Sequence, residues 1–238
     1  MIDLQLLATG AHELGVELAA DQLDRFARFA ALLIDWNGRV NLTTIIEPRD
    51  IVIKHFLDSL SVFKALPPKA KSVIDVGAGA GLPGLALKIA RPDLTLALVE
   101  ATRKKCEFLE ALIKELNVYH VLVVNARAED VGRDPAHRAH YDVAVARAVA
   151  DLPALTEYLL PLIKVGGVAI AQKSRNIAAE VARAETAILL LGGLDAEVIP
   201  VTVPGLPDER NLIVIEKLVE TPEEYPRRVG VPAKEPLE

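Results

Sequence analysis

One stretch constrains this chain more than any other: Ser72-Val-Ile-Asp-Val-Gly-Ala-Gly-Ala-Gly-Leu-Pro-Gly84, an apolar, β-branched run that passes through closely spaced glycines into helix-forming sequence. A strand that turns directly into a helix needs glycine where the backbone takes φ > 0 or must approach a ligand with no Cβ in between. Gly77, Gly79 and Gly81 meet that need, and Pro83 suits a first helical turn, where a missing N–H costs nothing. Turns of this kind bind nucleotide-like cofactors, and the glycines read two ways. Gly79-x-Gly81-x-x-Gly84 fits a dinucleotide fingerprint, with a pyrophosphate at the helix N-terminus. Asp75-x-Gly77-x-Gly79 fits a loop that holds S-adenosylmethionine, which has no phosphate and is wrapped at its amino-acid part and ribose.

The rest of the chain decides what surrounds that turn. Leu23, Phe26, Ala30, Leu33 and Asn37 follow helical spacing, and Ile53, Phe56, Leu57, Leu60 and Phe63 repeat it after Pro48. Residues 1–66 are therefore expected to be a helical extension packed on a core formed by residues 67–219. Asn37-Gly38 and Asn41-Leu42-Thr43-Thr44 carry turn and cap chemistry between the two helical stretches. From Lys71 onward the period changes to short apolar strands at Ser72–Val76, Leu94–Glu100, Val121–Asn125, Asp142–Ala146, Val168–Gln172, Glu197–Val203 and Leu212–Lys217. Helices are expected to begin near Gly84, Thr102, Asp151 and Asn176, while Ala128–Gly132 is too short and polar to assign. Alternation of this kind predicts a mainly parallel sheet covered on both faces.

The last two strands are joined by Pro204-Gly-Leu-Pro-Asp-Glu-Arg-Asn211, too short for a crossover helix, so they should be antiparallel neighbours. A Rossmann-like α/β sheet of seven strands ending in an antiparallel hairpin favours the class I S-adenosylmethionine-dependent methyltransferase version of the doubly wound fold over the all-parallel dinucleotide version. Residues 220–238, with Pro222, Pro226, Pro232 and Pro236 among charges, are expected to be an extended tail rather than packed structure.

At 238 residues, 51% of them hydrophobic, the chain can bury one sizeable core. It has no apolar run of the ~20 residues a membrane span needs and no basic flank before its first apolar residues, so a cytoplasmic protein is expected. Cys106 is the one cysteine, which excludes a disulfide framework and a cysteine-rich zinc site, and no metal is expected. A formal charge of −6 disfavours indiscriminate coating of nucleic acid but leaves room for a local basic face.

Chemistry is sought at the ends of the strands. Glu100 closes the second strand, where a carboxylate accepts hydrogen bonds from ribose hydroxyls in either cofactor class. Asn125-Ala-Arg-Ala-Glu-Asp130 closes the third, where an adenine edge would lie. Arg147, after the fourth, stands at the position that faces a transferred group; it suits a phosphate or a guanine edge, or a structural salt bridge. The Asp/Asn-Pro-Pro-aromatic tetrad of amino-methylating enzymes is missing here, as is a Pro-Cys for covalent attack on a pyrimidine, and no Tyr-x-x-x-Lys offers hydride-transfer chemistry. Guanine N7 has a free lone pair, so its methylation needs no base, and in-line positioning supplies most of the catalysis. Basic groups at Arg103-Lys104-Lys105, Arg133 with Arg138, Lys173 with Arg175, Arg210 and Arg227-Arg228 are candidates to converge on the site and engage RNA phosphates.

These features together resemble the glucose-inhibited division protein B family, bacterial guanine-N7 methyltransferases of small-subunit ribosomal RNA. The blocks that carry the resemblance, in order, are Trp36-Asn37 with Asn41-Leu42-Thr43, Lys54-His-Phe-Leu-Asp-Ser59, the Asp75–Gly84 loop, Arg91-Pro92, Arg103-Lys-Lys105 with Phe108-Leu109, Arg127-Ala-Glu129, Ala146-Arg-Ala148 and the Tyr225–Pro232 segment. The resemblance implies that Gly77, Leu82, Ala128, Glu129 and Arg147 contact S-adenosylmethionine, that Glu100, Ala101 and Thr102 form its ribose side, and that His55 and Asp58 line the cleft beside it. It implies 16S rRNA, or the small ribosomal subunit, as partner, and a monomeric enzyme is expected. Two positions depart from the family pattern: Glu100 where many members carry Asp, and Gln172-Lys173-Ser174 where Lys-Gly is common. The competing readings are an NAD-dependent oxidoreductase, a small-molecule methyltransferase and a non-catalytic ribosome-assembly factor.

Overall fold

The computed structural model describes residues 1–174 and 177–238. Its seven strands are β1 (Ser72–Val76), β2 (Thr95–Val99), β3 (Val121–Val124), β4 (Tyr141–Arg147), β5 (Ile163–Lys173), β6 (Glu197–Val201) and β7 (Arg210–Glu216), in one sheet of order β3-β2-β1-β4-β5-β7-β6. β1 to β5 run parallel, and β7 lies antiparallel between β5 and β6, so the antiparallel hairpin expected from the short 204–211 connection is present. Pro200 lies in β6, an edge strand, where a missing N–H does not break the ladder.

Period-two alternation sorts the strand residues between two cores. Val73, Leu96, Leu98, Val143, Val145, Ile170 and Leu212 face one, while Ile74, Val76, Ala97, Ala144, Ala146, Ala169 and Ala171 face the other. The alanines on the second face admit the helices Ala128–Arg133, Leu152–Leu159 and Ala178–Leu190 at close range. The first face takes Gly84–Ala90, Arg103–Leu116 and the N-terminal helices Leu4–Glu13 and Ala20–Val40. Phe56 meets Phe26 and Phe29 at ring-centroid distances of 4.9 and 5.2 Å, Trp36 meets Phe108 at 5.7 Å, and buried Gln22 donates to the carbonyls of Ile89 and Ala90.

Three local features depart from the sequence reading. Ala128–Arg133 is a helix, and β5 begins five residues earlier than Val168. The second helical stretch is not a plain α-helix: it winds through Pro48–Asp50 (α), Ile51–Leu57 (π), Asp58–Leu60 (α) and Ser61–Lys64 (3-10). A π turn inserts an extra residue without changing which residues are apolar, so apolar spacing alone does not reveal it. The helix start expected near Asn176 falls outside the described residues.

Residues 220–238 carry little regular structure, but they are packed, contrary to the expectation of a loose tail. Thr221 donates to the Leu191 carbonyl at 2.8 Å, and Arg138 donates to the carbonyls of Thr221, Pro222 and Tyr225. Pro226 covers Gly132, where a Cβ would come within 2.8 Å of the ring. The donors that hold this segment lie some ninety residues away in sequence, so local composition gives no sign of them.

Candidate active site

Two cavities open beside the carboxyl ends of the parallel strands, where ligands bind in open α/β sheets. The first, of about 410 Å³, lies within the roughly 300–1,000 Å³ range of small-molecule sites. Gly77 enters it from the β1 turn, Glu100 and Ala101 from the end of β2, Ala126–Glu129 from the end of β3, and Val149 and Ala150 from the segment after β4. Tyr158, whose phenol burial pushes up to about 12, also lines it.

The hydrogen bonds of the glycine turn separate its two readings. Gly77 N and Ala78 N both donate to Val99 O, Gly81 N and Leu82 N to Ala78 O, and Gly84 N to Asp75 Oδ2 at 2.7 Å. Gly79 N donates to Glu100 Oε2 at 3.1 Å. A pyrophosphate cradle needs such N–H groups pointing at the ligand; here they are spent inside the protein. Among the described residues that line the cavity, Glu100 and Glu129 stand against Arg127 as the one cation. That balance suits a sulfonium ligand and opposes a diphosphate. The residues present therefore fit S-adenosylmethionine: the turn and Glu100 would hold its ribose side and the β3 segment its adenine.

Glu100 explains its own departure from aspartate. Its longer side chain reaches Gly79 N with one oxygen and Thr102 N, at 2.7 Å, with the other, which locks the turn to the start of the Arg103–Leu116 helix. Gly77 has φ +75°, and a Cβ there would stand 2.6 Å from Val149 Cγ2. Gly84 packs instead: a Cβ would stand 2.7 Å from Asp75 Oδ2 and 2.9 Å from Leu98.

Asp75, Gly79 and Leu82, expected to contact the cofactor, do not line the cavity, and Asp75 and Leu82 are buried. Asp75 is fully buried, and its Oδ1 has no hydrogen-bond partner. Burial pushes its carboxyl up to about 7, with the Gly84 N–H and Arg147 opposing. It supports the loop from beneath. Thr102 sits exposed at the helix N-cap, with only its neighbours Glu100 and Ala101 in the lining.

The second cavity, of about 400 Å³, adjoins the first across the chain that runs from Arg147 and Ala148 to Val149 and Ala150. It gathers His55, Asp58, Arg147, Lys173 and Arg210, with Lys54 and Gln172. Asp58 is its anchor: Oδ2 accepts from Arg147 at 2.9 Å and Oδ1 from Arg210 Nε at 3.0 Å, and the side chain is almost wholly buried. Gln172 Nε2 donates to Asp58 O at 2.7 Å, which gives the departure at 172 a structural role. Lys173 is held by Glu180 and the Ala150 carbonyl. Arg147 thus lines the second cavity rather than the first.

His55 is placed by a relay from the end of the Ala20–Val40 helix. The Asn37 side chain accepts from Leu42 N and Thr43 N, and Thr43 Oγ1 stands 3.0 Å from His55 Nε2. Burial, then the Arg147 charge, hold the imidazole down at about 4, so it is neutral at physiological pH. Ser59 turns into the core and donates to His55 O.

The remaining basic candidates divide. Arg103 and Lys104 are exposed and Lys105 half-buried on the first helical turn after Glu100, and Arg228 is exposed. Arg227 is not available to RNA in the way expected: it forms a salt bridge of 2.8 Å with Glu157, whose side chain is fully buried. Arg133 and Arg138 are likewise spent on backbone carbonyls. Arg175 lies outside the described residues. Val149, Val229, Gly230 and Ala233 line the first cavity and were missed in the sequence, since apolar and glycine residues carry no chemical signal there; Tyr158 was missed because it sits within an apolar helical run.

Comparison with solved structures returns methyltransferases at low identity. A SAM-dependent O-methyltransferase from Thermotoga maritima matches with TM-score 0.52 at 17% identity, over 80% of this chain and 73% of that one. Precorrin-6y C5,15-methyltransferase from Geobacter metallireducens matches with TM-score 0.50 at 15% identity, over 67% and 88%. These establish the class I methyltransferase fold. Among the described residues no helix is long and apolar enough to cross a membrane. Sequence relatives are much nearer: ribosomal RNA small subunit methyltransferase G of Roseiflexus sp. is 50% identical over 98% of this chain and all of its own length, and that of Pelotomaculum thermopropionicum 46% over 98% of both. The profile of the rRNA small subunit methyltransferase G (GidB) family matches residues 22–213, and with relatives this close the chain belongs to that family.

Proposed function

We propose that this chain is an S-adenosylmethionine-dependent 16S rRNA methyltransferase that acts at N7 of a guanine in the decoding-region loop of the small subunit, as a cytoplasmic monomer. The observation that carries the choice of acceptor atom is that, among the described residues, the second cavity holds no usable base beside a well-formed cofactor cavity. Asp58 has both oxygens engaged by guanidinium groups, and His55 is held at about 4. Amine or hydroxyl acceptors would need a proton removed; a ring nitrogen with a free lone pair needs alignment alone.

Bound cofactor would supply an electrophilic methyl group. The residues around it bind, orient and exclude water. Arg147 and Arg210 offer guanidinium donors to a nucleobase oxygen or a flanking phosphate, and Arg103 and Lys104 extend the basic rim at the end of β2. Recognition of an unpaired loop base fits a cavity of this size better than a duplex groove reader would.

The test is transfer of labelled methyl groups to small subunits from cells lacking this modification, followed by strand scission selective for N7-methylguanosine. Label in 16S rRNA with cleavage at one loop guanine is expected. Label without cleavage would move the acceptor off N7, and label in free metabolites alone would remove the RNA substrate.

A further inference from the structure

We propose that residues 226–234 are a working wall of the cofactor cavity, closing it at the β3 end around the adenosine part of the ligand and fixing the carboxylate that reads the base. The inference rests on the S-adenosylmethionine reading above. It concerns a segment beyond residues 22–213, the region matched by the family profile.

Val229, Gly230 and Ala233 line the cavity together with Arg127, Ala128, Glu129 and Tyr158. Their small size matters, because the wall stands close without filling the space. The segment is anchored before and between these residues. Before them, Arg133 Nε donates to Pro226 O at 2.6 Å, and Arg227 binds Glu157 through its backbone N at 2.6 Å and its guanidinium. Between Gly230 and Ala233, Pro232 is buried in the first turn of the short helix Val231–Lys234, which carries Ala233. A buried carboxylate such as Glu157, paired with an arginine from a distant segment, is costly to separate. The wall is therefore held in register with the Leu152–Leu159 helix that carries Tyr158.

Its second contribution is electrostatic and local. Gly230 takes φ +80°, and its N–H donates to Glu129 Oε1 at 2.8 Å. Glu129 is buried, so this bond orients the carboxylate and leaves Oε2 as the acceptor for an amino donor within the cavity. A 6-aminopurine presents such a donor, and a 6-oxopurine presents an acceptor to an acceptor. The wall thus contributes to base selection through Glu129 as well as to enclosure.

The experiment is calorimetric titration of S-adenosylhomocysteine, and of its 6-oxopurine analogue S-inosylhomocysteine, into the full chain and into Ala233→Trp. Ala233 is exposed, so the variant should fold, and thermal midpoints without ligand check this. We expect Ala233→Trp to weaken S-adenosylhomocysteine about tenfold or more by filling the cavity from its wall, and the inosyl compound to bind more weakly than S-adenosylhomocysteine to wild type. Amide exchange across residues 226–234 should slow when S-adenosylhomocysteine binds, a readout on the unmodified chain that decides alone if Ala233→Trp unfolds. Equal affinity of wild type and Ala233→Trp, with unchanged exchange in 226–234, overturns the wall while the cofactor reading stands. Failure of the wild-type chain to bind S-adenosylhomocysteine at all overturns the cofactor reading and this inference with it.

Discussion

Burial acts on two residues of the site in opposite directions, holding the His55 imidazole down at about 4 and pushing the Asp75 carboxyl up to about 7. For His55 the folded value lies below the ordinary 6.5, so folding releases a proton between about 4 and 6.5, and stability from this group rises with pH across that window. For Asp75 the folded value lies above the ordinary 3.8, so folding takes up a proton between 3.8 and about 7, and stability falls with rising pH there. The two slopes oppose each other. Carboxylates held low, such as Asp142 at about 2, act below this range. Urea midpoints measured from pH 4 to 7 should therefore diverge in opposite senses for two near-isosteric variants. His55→Gln leaves the Asp75 slope, so the midpoint declines with pH relative to wild type; Asp75→Asn leaves the His55 slope, so it climbs. Parallel profiles for all three proteins would mean that neither group titrates as its surroundings imply.

At the scale of elements, the β1 turn works because its glycines serve different ends. Gly77 combines positive φ with a Cβ position 2.6 Å from Val149, which lines the cofactor cavity from the segment after β4. Gly77→Val should push Val149 into the cavity as well as straining the backbone, at about 1–2 kcal/mol for the left-handed conformation. Calorimetry should find S-adenosylhomocysteine binding abolished in a chain that still folds cooperatively; wild-type affinity would mean that the turn does not border the ligand. This turn was legible in the sequence, because a β-branched run followed by Gly-x-Gly-x-Gly has few other solutions, and so were the strands, whose apolar runs are bounded by Pro, Gly and charge. The π-wound stretch Ile51–Leu57 was not, since its apolar residues also satisfy α spacing. Nor was the packing of residues 220–238, which depends on Arg133 and Arg138, whose sequence neighbourhoods suggest a solvated surface, and on Glu157, whose distant partner Arg227 no local pattern reveals. Local signals revealed the cofactor turn, while the partners of Arg147 and Arg227 required the tertiary fold.

Across the whole molecule, Asp58 ties the N-terminal helices to the sheet. It lies in the helical stretch before β1, yet its carboxylate binds Arg147 at the end of β4 and Arg210 at the start of β7, and its carbonyl accepts from Gln172 on β5. One residue thereby closes the second cavity and joins it to three strands, two through its side chain and one through its carbonyl, while the first cavity is built from the ends of β1, β2 and β3, Val149, Ala150, Tyr158 and residues 229–233 without it. Asp58→Asn keeps the size and one acceptor but leaves two neighbouring guanidinium groups without their counter-charge. Removing one partner of a buried ion pair costs about 3–5 kcal/mol, and here the loss includes repulsion between the two arginines. Added salt screens that repulsion and should restore part of the stability in urea unfolding, the reverse of what an exposed ion pair would show. The cofactor cavity should be untouched, so S-adenosylhomocysteine affinity should hold in calorimetry while methyl transfer to small subunits collapses through misplacement of Arg147 and Arg210. Loss of both together would instead mean that the two cavities form one cooperative site with Asp58 at its hinge.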